Sequence, residues 1–445
     1  MSTALAARPA PPPVQQPPRR PGVLRRIGGL RHTSPGRLQL LIAVLVALGL
    51  LSGLVAGVAG ASARAGTDDL GDRAQPLLIE AEAIYSALAD ADTTAAQAFL
   101  AGGLEPAALT RRYDADLERA TTALTSAARR TEENGRAADA VRALSAGVAT
   151  YAELVATARA NNRQGKPVGA SYLSEASRLN RETLQPQARA LFDSAQAEVD
   201  DGYGRAGAAG WMALLLFSLL GLLIALALTQ RYLSRRTHRT FNVPLLLATA
   251  LTLVFTIGAI SIMVSQQTRL DRAANQGSGP LASIAESRIL ALTARGDEAL
   301  TLAARAGSGP YEEDFDKVVA RLTQERGPMV NSYDQLDWQL GQQMNRASQQ
   351  FKAYVAAHKQ VRTLDNSGQY DRAVDLAIGT ATTNQFESAR QFLDQALENR
   401  KAFFTDEIDA AGNGLGLLTV LGPLLALAVC VLAFAGLRAR LEEYR

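Results

Sequence analysis

Four stretches of this chain carry no charged residue at all: Leu38–Ala63, Ala206–Gln230, Thr240–Thr268 and Ala410–Leu437. A helix needs roughly 20 apolar residues to cross the hydrocarbon core of a bilayer, and each stretch exceeds that length. Between the first and second lie residues 64–205, and between the third and fourth residues 269–409, polar blocks of 142 and 141 residues. The plan is a membrane pair with a large polar domain between its members, written twice.

Charge placement predicts the orientation. Residues 1–38 hold seven arginines and no acid, and the connector 231–239 holds Arg231, Arg235, Arg236 and Arg239, again without an acid. Block 64–205 has 16 basic and 21 acidic residues, and block 269–409 has 16 and 20. Short basic loops stay cytoplasmic, whereas long domains cross regardless of charge. The expected protein is therefore a multi-pass plasma-membrane protein with both termini cytoplasmic and two large extracytoplasmic domains. The basic residues sit beside membrane spans, where topology and anionic headgroups account for them, so no nucleic-acid partner is expected. Ala61-Ser62-Ala63 resembles a signal-peptidase site, but the apolar run before it is longer than a signal core and reads as a retained span. The sole cysteine, Cys430, lies in the fourth stretch, which leaves neither polar block an internal disulfide.

Inside the blocks the periodicity is helical. Leu70, Leu77, Ile84, Ala91 and Ala98 recur every seven residues, with Ala74, Ala81, Leu88 and Ala95 interleaved, which is an a/d seam. A second helix uses Tyr113, Leu117, Ala120, Leu124 and Ala127; a third uses Val141, Leu144, Val148, Tyr151, Val155 and Ala158. Glycine and proline punctuate them at Gly102-Gly103, Asn134-Gly135 and Gly165-Lys166-Pro167. A fourth helix begins near Ala170 and carries Pro186, which should kink it or interrupt one hydrogen bond. Helices of this length with short breaks predict an up-down four-helix bundle.

The second block follows the same order. Pro280-Leu281 matches Pro76-Leu77 as a helix opening, Glu286 matches Glu82, and Leu292 matches Leu88. It departs at Gly327-Pro328 and at an extra short helix, Tyr370–Ile378. The helices at the block boundaries read as continuous with the spans, softened at Gly202, Gly204, Gly207 and Gly210. The fold class that follows is an all-α integral membrane protein, with four transmembrane helices and two extracytoplasmic four-helix bundles. Its segments are a disordered Pro/Arg-rich tail at 1–37, spans at 38–63, 206–230, 240–268 and 410–437, bundles at 64–205 and 269–409, a connector at 231–239 and a tail at 438–445.

Chemistry-bearing motifs are absent from the sequence. His32, His238 and His358 have no neighbouring cysteine and no histidine four residues away, so no metal site is indicated. No phosphate-binding, dinucleotide-binding or nucleophile-elbow motif occurs in a fitting context. The acids Glu312-Glu313-Asp314-Phe315-Asp316 read as a solvated helix start that favours the helix dipole. No enzyme and no cofactor are expected. The spans lack Asp, Glu, Lys, Arg and His and so form a poor transport path.

Two sets of residues remain as candidates. Gly49, Gly53 and Gly57 form a GxxxGxxxG row suited to close helix packing, within the four spans or in a homodimer. Arg231, Arg235, Arg236 and Arg239 face the cytoplasm, where a protein partner or anionic lipid of the bilayer could contact them.

The stretch AAQAFLAGGLEPAA at Ala95–Ala108, followed by Arg112-Tyr113-Asp114, and NRQGKPVGASYL at Asn162–Leu173 resemble the GlnX-type membrane proteins of actinobacteria. That resemblance implies outer domains similar to chemoreceptor four-helix-bundle sensors. It also implies a relay between an extracytoplasmic amino-acid-binding lipoprotein and a soluble Ser/Thr protein kinase. It brings no catalytic residues. Three readings stay open: a signal-transducing sensor or relay, a structural or assembly protein of the cell envelope, and an accessory transporter subunit.

Overall fold

The computed structural model describes residues 34–102, 105–237, 242–305, 309–325, 327–330, 333–335 and 337–442, and all regular structure among them is helical. Helix α1 (Ser34–Asp69) passes through a π-turn (Leu70–Ala74) into α2 (Gln75–Leu100). Then come α3 (Ala107–Arg130) and α4 (Arg136–Arg163), and α5 (Val168–Leu179) leads through a second π-turn (Asn180–Leu184) into α6 (Gln185–Gly207) and α7 (Ala209–Thr237). The other half repeats this order: α8 (Val243–Arg272), a π-turn (Ala273–Ser278), α9 (Gly279–Ala304), α10 (Pro310–Thr323), α11 (Trp338–Asn366), α12 (Tyr370–Ile378), α13 (Thr380–Ala411) and α14 (Leu415–Glu442). The extra short helix expected in the second block is α12.

The three π-turns have one cause. Each ends two residues before a proline, Pro76, Pro186 or Pro280. Proline offers no N–H and its ring crowds the carbonyl four residues back. A π-turn absorbs the misfit with one wider turn and lets the helix continue. Pro76 and Pro280 therefore do not start separate helices, as their context suggests; each lies in the first turn after a π-turn within an unbroken rod.

The other two junctions behave differently. Between α6 and α7, Ala208 adopts a left-handed conformation with φ 41°, and between α13 and α14 the chain turns through Gly412–Gly414, with Gly414 at φ 86°. The expected continuity holds where the chain enters each block and fails where it leaves. Gln266 donates to the Ala206 carbonyl at 2.9 Å, satisfying an acceptor near the end of α6.

The chain forms two compact units, one drawn from Met1–Ala56, Leu214–Ile257 and Leu421–Arg445, the other from Gly57–Ala213 and Gly258–Val420. Among the described residues, four helical runs are long and apolar enough to cross a membrane. In the first unit Leu45, Leu226, Leu245 and Val429 are buried together, while Leu54, Phe217, Leu228, Val254 and Val431 stand exposed. Apolar surface of that extent calls for lipid rather than water. Gln230 donates to Leu245 O at 3.0 Å and Asn242 to Gly436 O at 2.9 Å, tying α7 to α8 and α8 to α14.

Gly49 and Gly53 lie against α14 of the same chain. A Cβ at Gly49 would sit 3.5 Å from Val429 and Cys430, and one at Gly53 would overlap Ala426 and lie 3.1 Å from Gly422 O. Gly57, in the second unit, is half-buried; there it is Gly60 whose Cβ would come within 2.7 Å of Thr419 Oγ1. Replacing Gly53 with leucine is expected to destabilise the protein by about 1–3 kcal/mol, the usual range for forcing extra volume into a packed interface. Thermal unfolding in detergent should show a clear loss for Gly53→Leu and a smaller one for Gly57→Leu.

The second unit holds both polar blocks. In the first, α2 packs along α3 and α6, and α4 along α5 and α6; in the second, α9 packs on α10 and α13, and α11 on α13. Every seam residue from Leu70 to Ala98, and Val141 to Ala158 on α4, is buried. The two blocks meet through α2 and α9, which pack against each other.

Candidate functional site

The α2–α9 contact follows from composition. Both helices are rich in alanine, serine and threonine, so their backbones come close. Thr93 Oγ1 donates to Leu292 O at 2.8 Å across the contact. Each helix is buried on nearly all sides, and a helix buried all round is usually apolar all round. These two are not: Glu82, Asp90 and Asp92 on α2, and Arg288, Arg295, Asp297 and Glu298 on α9, are all buried. Buried charge is tolerated only when paired and hydrogen-bonded; Lys401 on α13 pairs Glu82 at 2.6 Å, and three clusters pair the rest.

In the first cluster Arg288 reaches from the second block to Asp90 of the first at 2.6 Å, and also bonds Asp394 on α13. Arg112 Nη2 lies 3.4 Å from Asp90 while its Nη1 holds Glu387 at 2.8 Å, a second crossing between blocks. Arg119 bonds Asp116 at 2.6 Å and lies 3.5 Å from Asp90, and Arg390 holds Glu387 and Asp394 at 2.8 Å each. Four arginines thus face four carboxylates. Burial works against the Asp90 carboxylate, but Arg288 and Arg112 outweigh it and hold its pKa below the ordinary value. Asp116 goes the other way: burial, reinforced by Asp90, pushes it up to about 6.

The second cluster reverses the direction of reach. Arg181, in the π-turn of the first block, bonds Asp92 at 3.1 Å on its own side and Asp297 on α9 of the other. Ser177 donates to Asp92 at 2.8 Å. A Cβ on residue 296 would come 2.8 Å from Arg181 Nη2, so glycine at that position makes room for the guanidinium. Asp297 is sealed from solvent, its Oδ2 has no hydrogen-bond partner, and burial pushes its pKa up to about 6 against the pull of Arg181.

The third cluster lies within the second block. His358 Nδ1 sits 3.0 Å from Glu298 Oε1 and Nε2 3.3 Å from Glu312 Oε1. Its ring stacks on Phe315 with centroids 3.7 Å apart. Arg295 bonds Glu298, Tyr354 donates to Glu298 at 3.2 Å, and Arg362 lies 3.1 Å from Glu312. Glu312, itself partly buried, therefore belongs to this network, whereas Glu313, Asp314 and Asp316 are exposed.

Two clefts open between the blocks, at the ends of α2 and α9 away from α1 and α8. One, of about 760 Å³, is lined by Phe99, Lys166, Pro167, Arg305, Tyr370 and Asp371. The other, of about 610 Å³, is lined by Ser174, Arg178, Arg181, Glu182, Tyr311 and Asp314. Arg181 thus belongs both to a cleft wall and to the ion pairs that join the blocks.

The arginines singled out from sequence lie elsewhere. Arg231 and Arg235 are exposed near the end of α7; the side chain of Arg236 and all of Arg239 fall outside the described residues. Sequence reading missed the buried clusters. Their signal was present as Asp90 and Asp92 inside an alanine-rich helical run, and as Arg288 and the Arg295-Gly296-Asp297-Glu298 string among the apolar residues of α9.

Residues 66–204 match the model of a family described as the actinobacterial sensor domain, Sensor_actino. No curated protein matches the chain. The matched stretch takes in the second half of the π-turned α1–α2 rod, α3 to α5 and most of α6, and so contains Asp90, Asp92, Arg112 and Arg181. Together with four helices suited to crossing a bilayer, this match fits the chain to an actinobacterial sensor membrane protein.

Proposed function

We propose that this chain is a transmembrane sensor or relay. It detects an extracytoplasmic small molecule, an amino acid on the resemblance above, or the lipoprotein that binds it, and passes the signal to a separate cytoplasmic protein of the Ser/Thr kinase class. The observation that carries this reading is the unbroken α1–α2 rod, which runs from an apolar span into the sensor-matched stretch. A helix is stiff along its axis, and a shift or rotation at one end can be read at the other. The paired rod α8–α9 meets it through buried ion pairs, so a change in one block must be accommodated by the other.

In this reading the two blocks are extracytoplasmic, both termini and the 231–239 connector are cytoplasmic, and the chain itself catalyses nothing. Arg231 and Arg235 would contact the cytoplasmic partner or the anionic lipid around it. Crosslinking in native membranes, followed by affinity purification and mass spectrometry with and without amino-acid supply, tests the reading. Enrichment of a solute-binding lipoprotein and a cytoplasmic kinase that varies with supply is the expected result. Recovery of only envelope-assembly proteins, unchanged by supply, would replace the relay with a structural role, and recovery of a permease would replace it with an accessory transport role.

A further inference from the structure

We propose that the 610 Å³ cleft between α5 of the first block and the α9–α10 region of the second binds a small organic cation bearing protonated amines, and that Arg181 conveys its occupancy to the inter-block ion pairs. This rests on the sensor reading and names the ligand chemistry of one of its clefts.

Acids outnumber cations around this cleft. Each arginine here stands between two acids. Arg178 bonds Glu175 at 2.6 Å and lies 3.7 Å from Glu182, and Arg181 holds Asp92 and Asp297. Asp314 is answered by Lys317 at 2.9 Å. Counting the cleft wall and the groups bonded to it, five carboxylates meet three cations. Water screens the part of this deficit that lies on the rim, where Glu175, Arg178 and Glu182 are exposed. It does not reach Asp297, which is fully buried with Oδ2 unpartnered.

The remaining wall suits an ammonium group. Tyr311 presents a ring whose face already lies 5.9 Å from the Arg181 guanidinium, and its hydroxyl is 2.5 Å from Ser174 Oγ. Carboxylates, hydroxyl oxygens and an aromatic face all accept from N–H donors or attract cations. An anionic ligand would instead face a surplus of like charge and would have to displace Asp92 or Asp297 from Arg181. Because Ser171, Ser174 and Arg181 belong to one block and Tyr311 and Asp314 to the other, a bound amine touches both. Occupancy then relieves the repulsion among the acids and draws the blocks together.

The test uses the full chain in detergent micelles or nanodiscs, titrated with putrescine and spermidine and read by calorimetry and by thermal unfolding. Butanediol, glutamate and magnesium chloride at matched ionic strength are the comparison ligands. Saturable binding of the amines with a rise in unfolding temperature is expected. Glu182→Gln and Asp314→Asn, both at exposed positions, should each weaken amine binding about fivefold while leaving the ligand-free unfolding temperature in place. Three outcomes overturn the proposal: no saturable amine binding, tighter binding of glutamate than of the amines, or an equal stabilisation by magnesium, which would reduce the effect to charge screening. A flat titration removes the amine site and leaves the relay standing, since the relay is decided by the partners recovered from membranes.

Discussion

Replacing Arg181 with methionine is expected to lower stability by about 3–5 kcal/mol, the range for removing one partner of a buried ion pair. The cost comes from what is left behind. Asp92 keeps only the hydroxyl of Ser177, and Asp297 keeps nothing. Arg288→Met should cost distinctly less although Arg288 is no more exposed. Its partner Asp90 retains Arg112 at 3.4 Å and Arg119 at 3.5 Å, and Asp394 retains Arg390 at 2.8 Å. Thermal unfolding of the two variants, side by side, ranks them. Adding Asp297→Asn to Arg181→Met should recover part of the loss, because it removes the charge left uncompensated. Equal shifts for the two single variants would show that the redundancy around Asp90 has no energetic weight.

The second large effect is a dependence on pH centred on His358. Both of its ring nitrogens face carboxylate oxygens, which only accept, so the arrangement requires both nitrogens to carry protons. Burial opposes that charge, but the hydrogen bonds to Glu298 and Glu312 and their negative charge outweigh it, and the pKa is pushed up to about 8. The folded value thus lies above the unfolded value of about 6.5. A group raised on folding contributes its full stability below the unfolded pKa and loses it as pH rises through the folded one. The carboxylates facing the imidazole are Glu298 from α9 and Glu312 from α10, which are held in turn by Arg295 from α9 and by Tyr354 and Arg362 from α11. A shift of this size corresponds to about 2 kcal/mol, lost between roughly pH 6.5 and pH 8.5. His358→Phe should flatten that part of the stability profile. Asp116 and Asp297, each pushed up to about 6, act in the same direction in a lower window, from about pH 4 to pH 6. An unfolding temperature constant from pH 6.5 to 8.5 in the unaltered protein would contradict the imidazolium.

Much of the helical plan can be read directly from residue patterns, because burial of a seam imposes a period. The a/d residues of α2 and the apolar row of α4 are the buried ones, and the breaks fall at Gly102, Gly135 and Gly165, all with positive φ. The short helix α12 could be placed because Asn366-Ser367-Gly368 ends the helix before it. What patterns do not carry is pairing between distant segments. Asp90 and Arg288 are 198 residues apart, and nothing local distinguishes a buried acid with a remote partner from a solvated one. The π-turns were hidden for a related reason. Proline announces a local misfit, but whether the chain stops or widens by one residue depends on the packing that holds the rod together.

Within each half, then, one leg is a continuous helix and the other is jointed. Helices α1–α2 and α8–α9 run through, while Ala208 and Gly412–Gly414 interrupt the return legs. A screw thread gives the consequence. One residue added to a continuous helix turns everything beyond it by about 100° and advances it by about 1.5 Å. Inserting an alanine between Gly66 and Thr67 would therefore present the wrong side of α1 to its neighbours, and the clearance that Gly66 gives to Arg205 and Ala206 would be lost. The same insertion beside Ala208 could be taken up by the joint. The phase of the shafts is thus written into the chain residue by residue, whereas the return legs tolerate slippage.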